Sequence, residues 1–196
     1  MKIYGSSTSG NCLKVKWVAE RLGVPFGWVE IDTFAGETRT PEFLALNPAG
    51  QAPFVLFDDG RVLAQSNAII VHLAEGSGLI PAAPFACAKM FEWLFWEQYT
   101  HEPAIAVRIA RLFYLGMKET ELDPTLKAKG EAALARMALA LMQGDWLVGE
   151  TITLADIALV AYTRNAHRGG FDLAHYPAVK AWVARVEAEL GLEHAA

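Results

Sequence analysis

The feature that most constrains this chain is a change of texture near residue 75. Before it, short strand-like runs alternate with helix-like ones, whereas after it nearly every apolar residue recurs at helical spacing. That pattern predicts an α/β domain over residues 1–77 and an all-α bundle over 85–196, joined by a linker at about 76–84. The linker stretch "GSGLIPAAP" carries the Gly, Ser and Pro expected of one. With 196 residues, 53% of them hydrophobic, the chain can bury a sizeable core.

The first half reads β-α-β-α-β-β-α. "KIY" is a short strand, and Val15, Val18, Ala19 and Leu22 recur at helical spacing until Gly23 stops the helix. "FGWVEID" is a second strand. "TPEFLALNP" is a short helix entered through Thr40 and Pro41 and closed before Pro48, because proline suits a first turn but not an interior. "APFVLFDDGRVLAQ" forms a hairpin turning at Asp58-Asp59-Gly60, and Ser66 is expected to cap the helix that follows.

In the second half a helix begins near Phe85 and should kink or break around Glu102, ahead of Pro103. A further helix covers about 124–142, and the last starts at Pro177. "TITLAD" places Thr153 three residues before Asp156, a capping-box spacing that assigns Asp156 to helix initiation rather than to catalysis.

Composition narrows the partners. A net charge of −5, with seventeen Lys and Arg scattered along the chain, leaves no electrostatic footprint for nucleic acid or an anionic membrane. The two cysteines, Cys12 and Cys87, stand in no CxxC pair, the histidines have no metal spacing, and "HEP" lacks a second His four residues after His101, so no metal site is expected. No apolar run reaches the length of a membrane span or resembles a signal peptide, which predicts a soluble cytoplasmic protein.

Chemistry concentrates in three places of the first half. The loop "SSTSGNC" (residues 6–12) opens a helix, where unsatisfied N–H groups and the macrodipole favour an anion. Ser9 or Thr8 can equally serve as plain caps there. "GQAPFVL" sets Pro53 directly before a strand, a place that calls for a turn or a cis bond; a cis bond would present the Ala52 backbone to an extended peptide-like ligand. "AQSNAII" puts Gln65 and Ser66 at a second helix start, suited to a carboxylate.

These motifs resemble the cytosolic glutathione transferases over essentially the whole chain. "SxNCxKV" at the first helix, "TPEFLALNPAGQAPFVLFDDGRVLAQSNAII" and the "TLAD" box carry the likeness. It implies a thioredoxin-like first domain that binds glutathione, a helical second domain, and a homodimer. Pro53 matches the family's cis-proline, and Ala52 the residue whose backbone pairs with the cysteinyl part of the peptide. Gln65 and Ser66 match the pair holding the γ-glutamyl end, with Gln where many bacterial members carry Glu. Arg39 matches the basic position facing the glycyl carboxylate, and Gln51 lies near the same end.

Within the loop, the resemblance sets Ser9 on the position of the catalytic Ser, Thr or Cys, and Asn11 on the Asn of the bacterial thiol-disulfide-active class. A serine there donates to the glutathione sulfur and is not itself the nucleophile. Tyr4, which would suggest the tyrosine classes, ends a strand where aromatics belong to the core. Cys12 falls one residue inside the helix, off the catalytic register, and reads as a small buried residue. The implied electrophile pocket draws on "FWEQYTHEPAIAVRIARLFY", with Tyr99, Val107, Arg111 and Phe113 as its walls. The expected activity is thiolate transfer to a small hydrophobic electrophile. Glutathione-dependent disulfide or peroxide reduction and a non-catalytic adaptor are the alternatives.

Overall fold

A computed structural model of the chain describes residues 1–194. Ala195 and Ala196, the last two residues of the expected helical domain, lie outside them. The chain divides into two compact units, Met1–Ser77 and a second beginning at Gly78.

The first unit is a four-stranded mixed sheet in the order β2-β1-β3-β4, made of β1 (Lys2–Gly5), β2 (Gly27–Glu30), β3 (Phe54–Leu56) and β4 (Val62–Ala64). Helices α1 (Gly10–Arg21), α2 (Pro41–Leu46) and α3 (Ser66–Leu73) complete the expected β-α-β-α-β-β-α order. Strand β1 pairs parallel with β2, which the crossover through α1 permits, and antiparallel with β3. Helices α1 and α3 pack on each other, with Val15, Val18, Ile69 and Ile70 fully buried. Phe43, Phe54 and Ile31 form a second apolar cluster, against which Tyr4 packs. The Tyr4 ring stacks on Phe54 at 4.4 Å between centroids, so it is the core aromatic its strand position predicts.

Thr40 caps α2 through its side chain, Pro41 takes the first turn, and Gly60 adopts φ 85° in the β3–β4 turn. Ser66 departs from expectation. It is the first residue of α3 rather than its cap, a place taken by Gln65 at φ 71°.

The second unit contains α4 (Pro84–Trp96), α5 (Glu102–Ile109), α6 (Thr125–Leu141), α7 (Leu154–Thr163) and α8 (Pro177–Leu190). Around Pro103 the chain neither breaks nor leaves the helical path: a wide π-helical turn, Glu97–His101, joins α4 to α5. A wider turn absorbs the missing N–H and the bulk of the proline ring without ending the helix. Thr153 and Asp156 form the capping box of α7, and the buried Asp156 carboxylate also accepts N–H groups from Leu147 and Trp182. None of the described helices is long and apolar enough to cross a membrane.

Candidate active site

Residues 6–9 turn from β1 into α1. The Ser9 N–H donates to the Ser6 carbonyl at 3.1 Å, and the hydroxyls of Ser6 and Thr8 lie 2.9 Å apart. Ser9 occupies the N-cap of α1, and its carbonyl accepts from Cys12 and Leu13. Its hydroxyl makes no bond to the helix N-terminus, so capping does not consume it. It meets the Cys12 sulfur beneath the loop. Burial pushes the Cys12 thiol up, outweighing the opposing hydrogen bonds of the Ser9 side chain and the Ser6 backbone. Cys12 itself is fully buried, as expected of a small core residue.

Asn11 is the second residue of the same helix. Its side-chain oxygen accepts the Ser66 hydroxyl at 3.0 Å across 55 residues of sequence. That bond joins the N-terminal turns of α1 and α3, so two sets of unsatisfied helix N–H groups lie side by side. Gln65, at the entrance of α3, is exposed and holds its positive φ without being glycine, a backbone cost found mainly at ligand sites.

The Ala52–Pro53 peptide is cis, with Ala52 half-buried and Pro53 buried just ahead of β3. Gln51 is exposed, and its carbonyl accepts the Asn47 side-chain amide at 2.7 Å, which fixes the loop leading to Ala52. Gly50, at φ 60°, lies directly under the Arg39 guanidinium. Arg39 and Gln51 are thereby brought to one edge. Ser9, Asn11, Arg39, Gln51, Ala52, Pro53, Gln65 and Ser66 all belong to the first unit.

The four expected walls of the electrophile pocket follow one helical run in the second unit. Tyr99, on the wide turn, is 88% exposed; Val107 and Arg111 are half-buried; Phe113 stacks under Arg168 and meets Tyr114 edge-on. Fourteen residues of helix separate Tyr99 from Phe113, about 20 Å at the helical rise. They are spread along the run rather than gathered at one point.

Sequence reasoning overlooked Glu30, Trp28 and Ser7. Glu30 accepts from both the Ser7 N–H and the Ser7 hydroxyl, and from the Trp28 indole. The two-residue spacing of Trp28 and Glu30 in a strand, which sets both on one face, was the available signal.

Both halves match family models: residues 8–75 fit the glutathione S-transferase N-terminal domain and residues 87–189 the C-terminal domain. The chain belongs to the glutathione S-transferase family. Glutathione S-transferase 3 of Zea mays is 33% identical over 195 residues, covering 93% of this chain and 86% of that protein. A glutathione S-transferase crystal structure from Xanthobacter autotrophicus Py2 is 44% identical, with a TM-score of 0.91, covering 100% of this chain and 95% of that one. Ure2p in complex with glutathione shares the fold, at 22% identity and a TM-score of 0.86, over 96% of this chain and 90% of that one. The thioredoxin-like and helical halves read from the sequence are therefore those of this family.

Proposed function

We propose that the chain is a glutathione transferase. It binds glutathione on its first unit, holds the thiol as thiolate with Ser9 and Asn11, and transfers it to a small hydrophobic electrophile. The observation that carries this reading is the Ser66–Asn11 hydrogen bond, which sets the two helix starts against each other. A γ-glutamyl-cysteinyl peptide has a carboxylate for one helix start and a sulfur for the other. Gln65 and Ser66 take the γ-glutamyl end, the Ala52 backbone pairs with the cysteinyl part, and Arg39 with Gln51 receives the glycyl carboxylate.

A free thiol has a pKa of about 8.5, so only a few per cent is thiolate at neutral pH. Lowering that value by about two pH units corresponds to about 2.7 kcal/mol of preference for the anion. Donation from the Ser9 hydroxyl, the Asn11 amide and the α1 N-terminal N–H groups is a sufficient source. The thiol proton leaves to solvent. The sulfur lone pair forms a bond to the electrophilic carbon, and the leaving group departs with its bonding electrons. No protein nucleophile and no metal enters this scheme. Tyr99, Val107, Arg111 and Phe113 are the walls expected to meet the electrophile, and the working form is a cytoplasmic homodimer, as in the family.

Ser9→Ala tests the reading. The variant should lose most of the ultraviolet absorbance of bound thiolate at neutral pH and about tenfold in kcat/KM. Unchanged values would remove Ser9 from the donor role. Asn11 favours a second reading, in which the same thiolate attacks the sulfur of a mixed disulfide or the oxygen of a hydroperoxide. Initial rates with an aromatic halide, an organic hydroperoxide and a mixed disulfide decide between the two.

A further inference from the structure

Glu30 ends β2, directly opposite Gly5 in the parallel register with β1. Its carboxylate is fully engaged: one oxygen accepts the Ser7 N–H at 2.7 Å, and the other accepts the Ser7 hydroxyl at 2.7 Å and the Trp28 indole N–H at 2.6 Å. Trp28 is itself held in place. A Cβ at Gly5 would come within 2.6 Å of its ring, and the Lys16 ammonium sits 5.5 Å from the ring centroid on the α1 side. A rigid strand end therefore grips Ser7 by both main chain and side chain.

Ser7 is a central residue of the turn closed by the Ser9 N–H and the Ser6 carbonyl. Holding Ser7 holds that turn, and the turn decides where the Ser9 hydroxyl and the first N–H groups of α1 point. We propose that Glu30 is a positioning residue for thiolate formation, acting through Ser7 on the direction of the Ser9 hydroxyl. This rests on the reading of Ser9 as the donor to the glutathione sulfur.

Charge supplies a sign that separates this role from a direct one. A carboxylate near a thiolate opposes it, so removing Glu30 would by charge alone lower the pKa of the bound thiol. Loss of the clamp does the reverse, because a misdirected Ser9 no longer donates to the anion. The clamp also persists at working pH. Slight burial pushes the Glu30 carboxyl up, but hydrogen bonds from the Ser7 side chain, the Trp28 indole and the Ser7 backbone, with the charge of Lys16, hold it below the ordinary carboxylate range. With its folded-state value depressed, the clamp is intact above that range and is released only as pH falls through the lowered value.

The test titrates the ultraviolet absorbance of bound glutathione thiolate against pH in the full chain carrying Glu30→Ala, Glu30→Gln, Ser9→Ala, or Ser9→Ala with Glu30→Ala. Thermal melting and the glutathione KM are followed alongside. Trp28→Phe, which removes one donor and keeps the ring, serves as the milder variant should Glu30→Ala fold poorly. The expected result is a higher thiol pKa in Glu30→Ala, with kcat/KM down about fivefold, glutathione KM within about twofold, and a double variant no worse than Ser9→Ala alone. Trp28→Phe and Glu30→Gln should fall between the wild type and Glu30→Ala. An unchanged or lowered thiol pKa in Glu30→Ala, beside a raised one in Ser9→Ala, overturns the positioning role and leaves the Ser9 reading standing. Additive losses in the double variant also overturn it. No effect of Ser9→Ala overturns both.

Discussion

Ser9 and Asn11 stand two residues apart, yet they answer to different partners. Ser9 lies over the Cys12 sulfur at the helix cap, and Asn11 takes the Ser66 hydroxyl from the start of α3. The residue types of this loop were legible in sequence as those of a helix start, where hydroxyl and amide groups serve either as caps or as donors to an anion. Their partners were not, since the Asn11–Ser66 bond spans 55 residues and the Ser7–Glu30 clamp spans 23. Gly50 shows the same limit at the edge proposed for the glycyl carboxylate. Its positive φ suits glycine, and the absent side chain makes room for Arg39. Gly50→Ala should displace the guanidinium from the edge it shares with Gln51. We expect the glutathione KM to rise about fivefold with kcat nearly unchanged, the signature of lost ground-state binding, as measured by steady-state kinetics at saturating electrophile. An unchanged KM would detach Arg39 from the glycyl carboxylate.

Helix boundaries were the best-read elements, and the errors fell where the chain had two solutions. Proline at a first turn and a capping Thr located α2, α7 and α8 closely, because both devices act within four residues. Pro103 marked a disturbance but not its form: breaking the helix or widening it are equally local answers, and the chain takes the wide turn. Ser66 was misassigned by one residue, since Gln65 enters α3 in a backbone region that residue types alone do not suggest. The Thr153–Asp156 box shows how much one capping residue can hold. Asp156 accepts the Leu147 N–H at 3.0 Å and the Trp182 indole at 2.8 Å on one oxygen, and the Thr153 N–H at 2.9 Å and hydroxyl at 3.0 Å on the other. Asp156→Asn keeps one accepting oxygen and turns an NH2 group toward two buried donors. The expected cost is about 3 kcal/mol, about 10 °C in melting temperature by calorimetry. Thiolate absorbance of the folded variant should match the wild type, since the residue serves the helix and not the sulfur.

For the molecule as a whole, texture alone divided the chain, because short strands and long amphipathic helices have different periods and the change falls at one place in the sequence. Surface roles were harder to read, as an aromatic on a helix has the same spacing whether it faces a core or a partner. Phe85 and Phe95 on α4 are 78% and 72% exposed, and Phe95 stacks on Phe91 with ring centroids 6.3 Å apart. Large aromatics left open to water on one helix are costly for a lone chain, and the proposed homodimer would give them a surface to pack on. Light scattering of the pure protein at micromolar concentration should therefore give twice the 21.4 kDa chain mass. If Phe95 lies in that contact, Phe95→Glu should return it toward the single-chain mass, because a charge placed in an apolar interface loses its hydration without gaining a partner. A wild-type mass of one chain would refute the homodimer. A Phe95→Glu variant that kept twice the chain mass would leave the dimer intact and move its contact surface away from this end of α4.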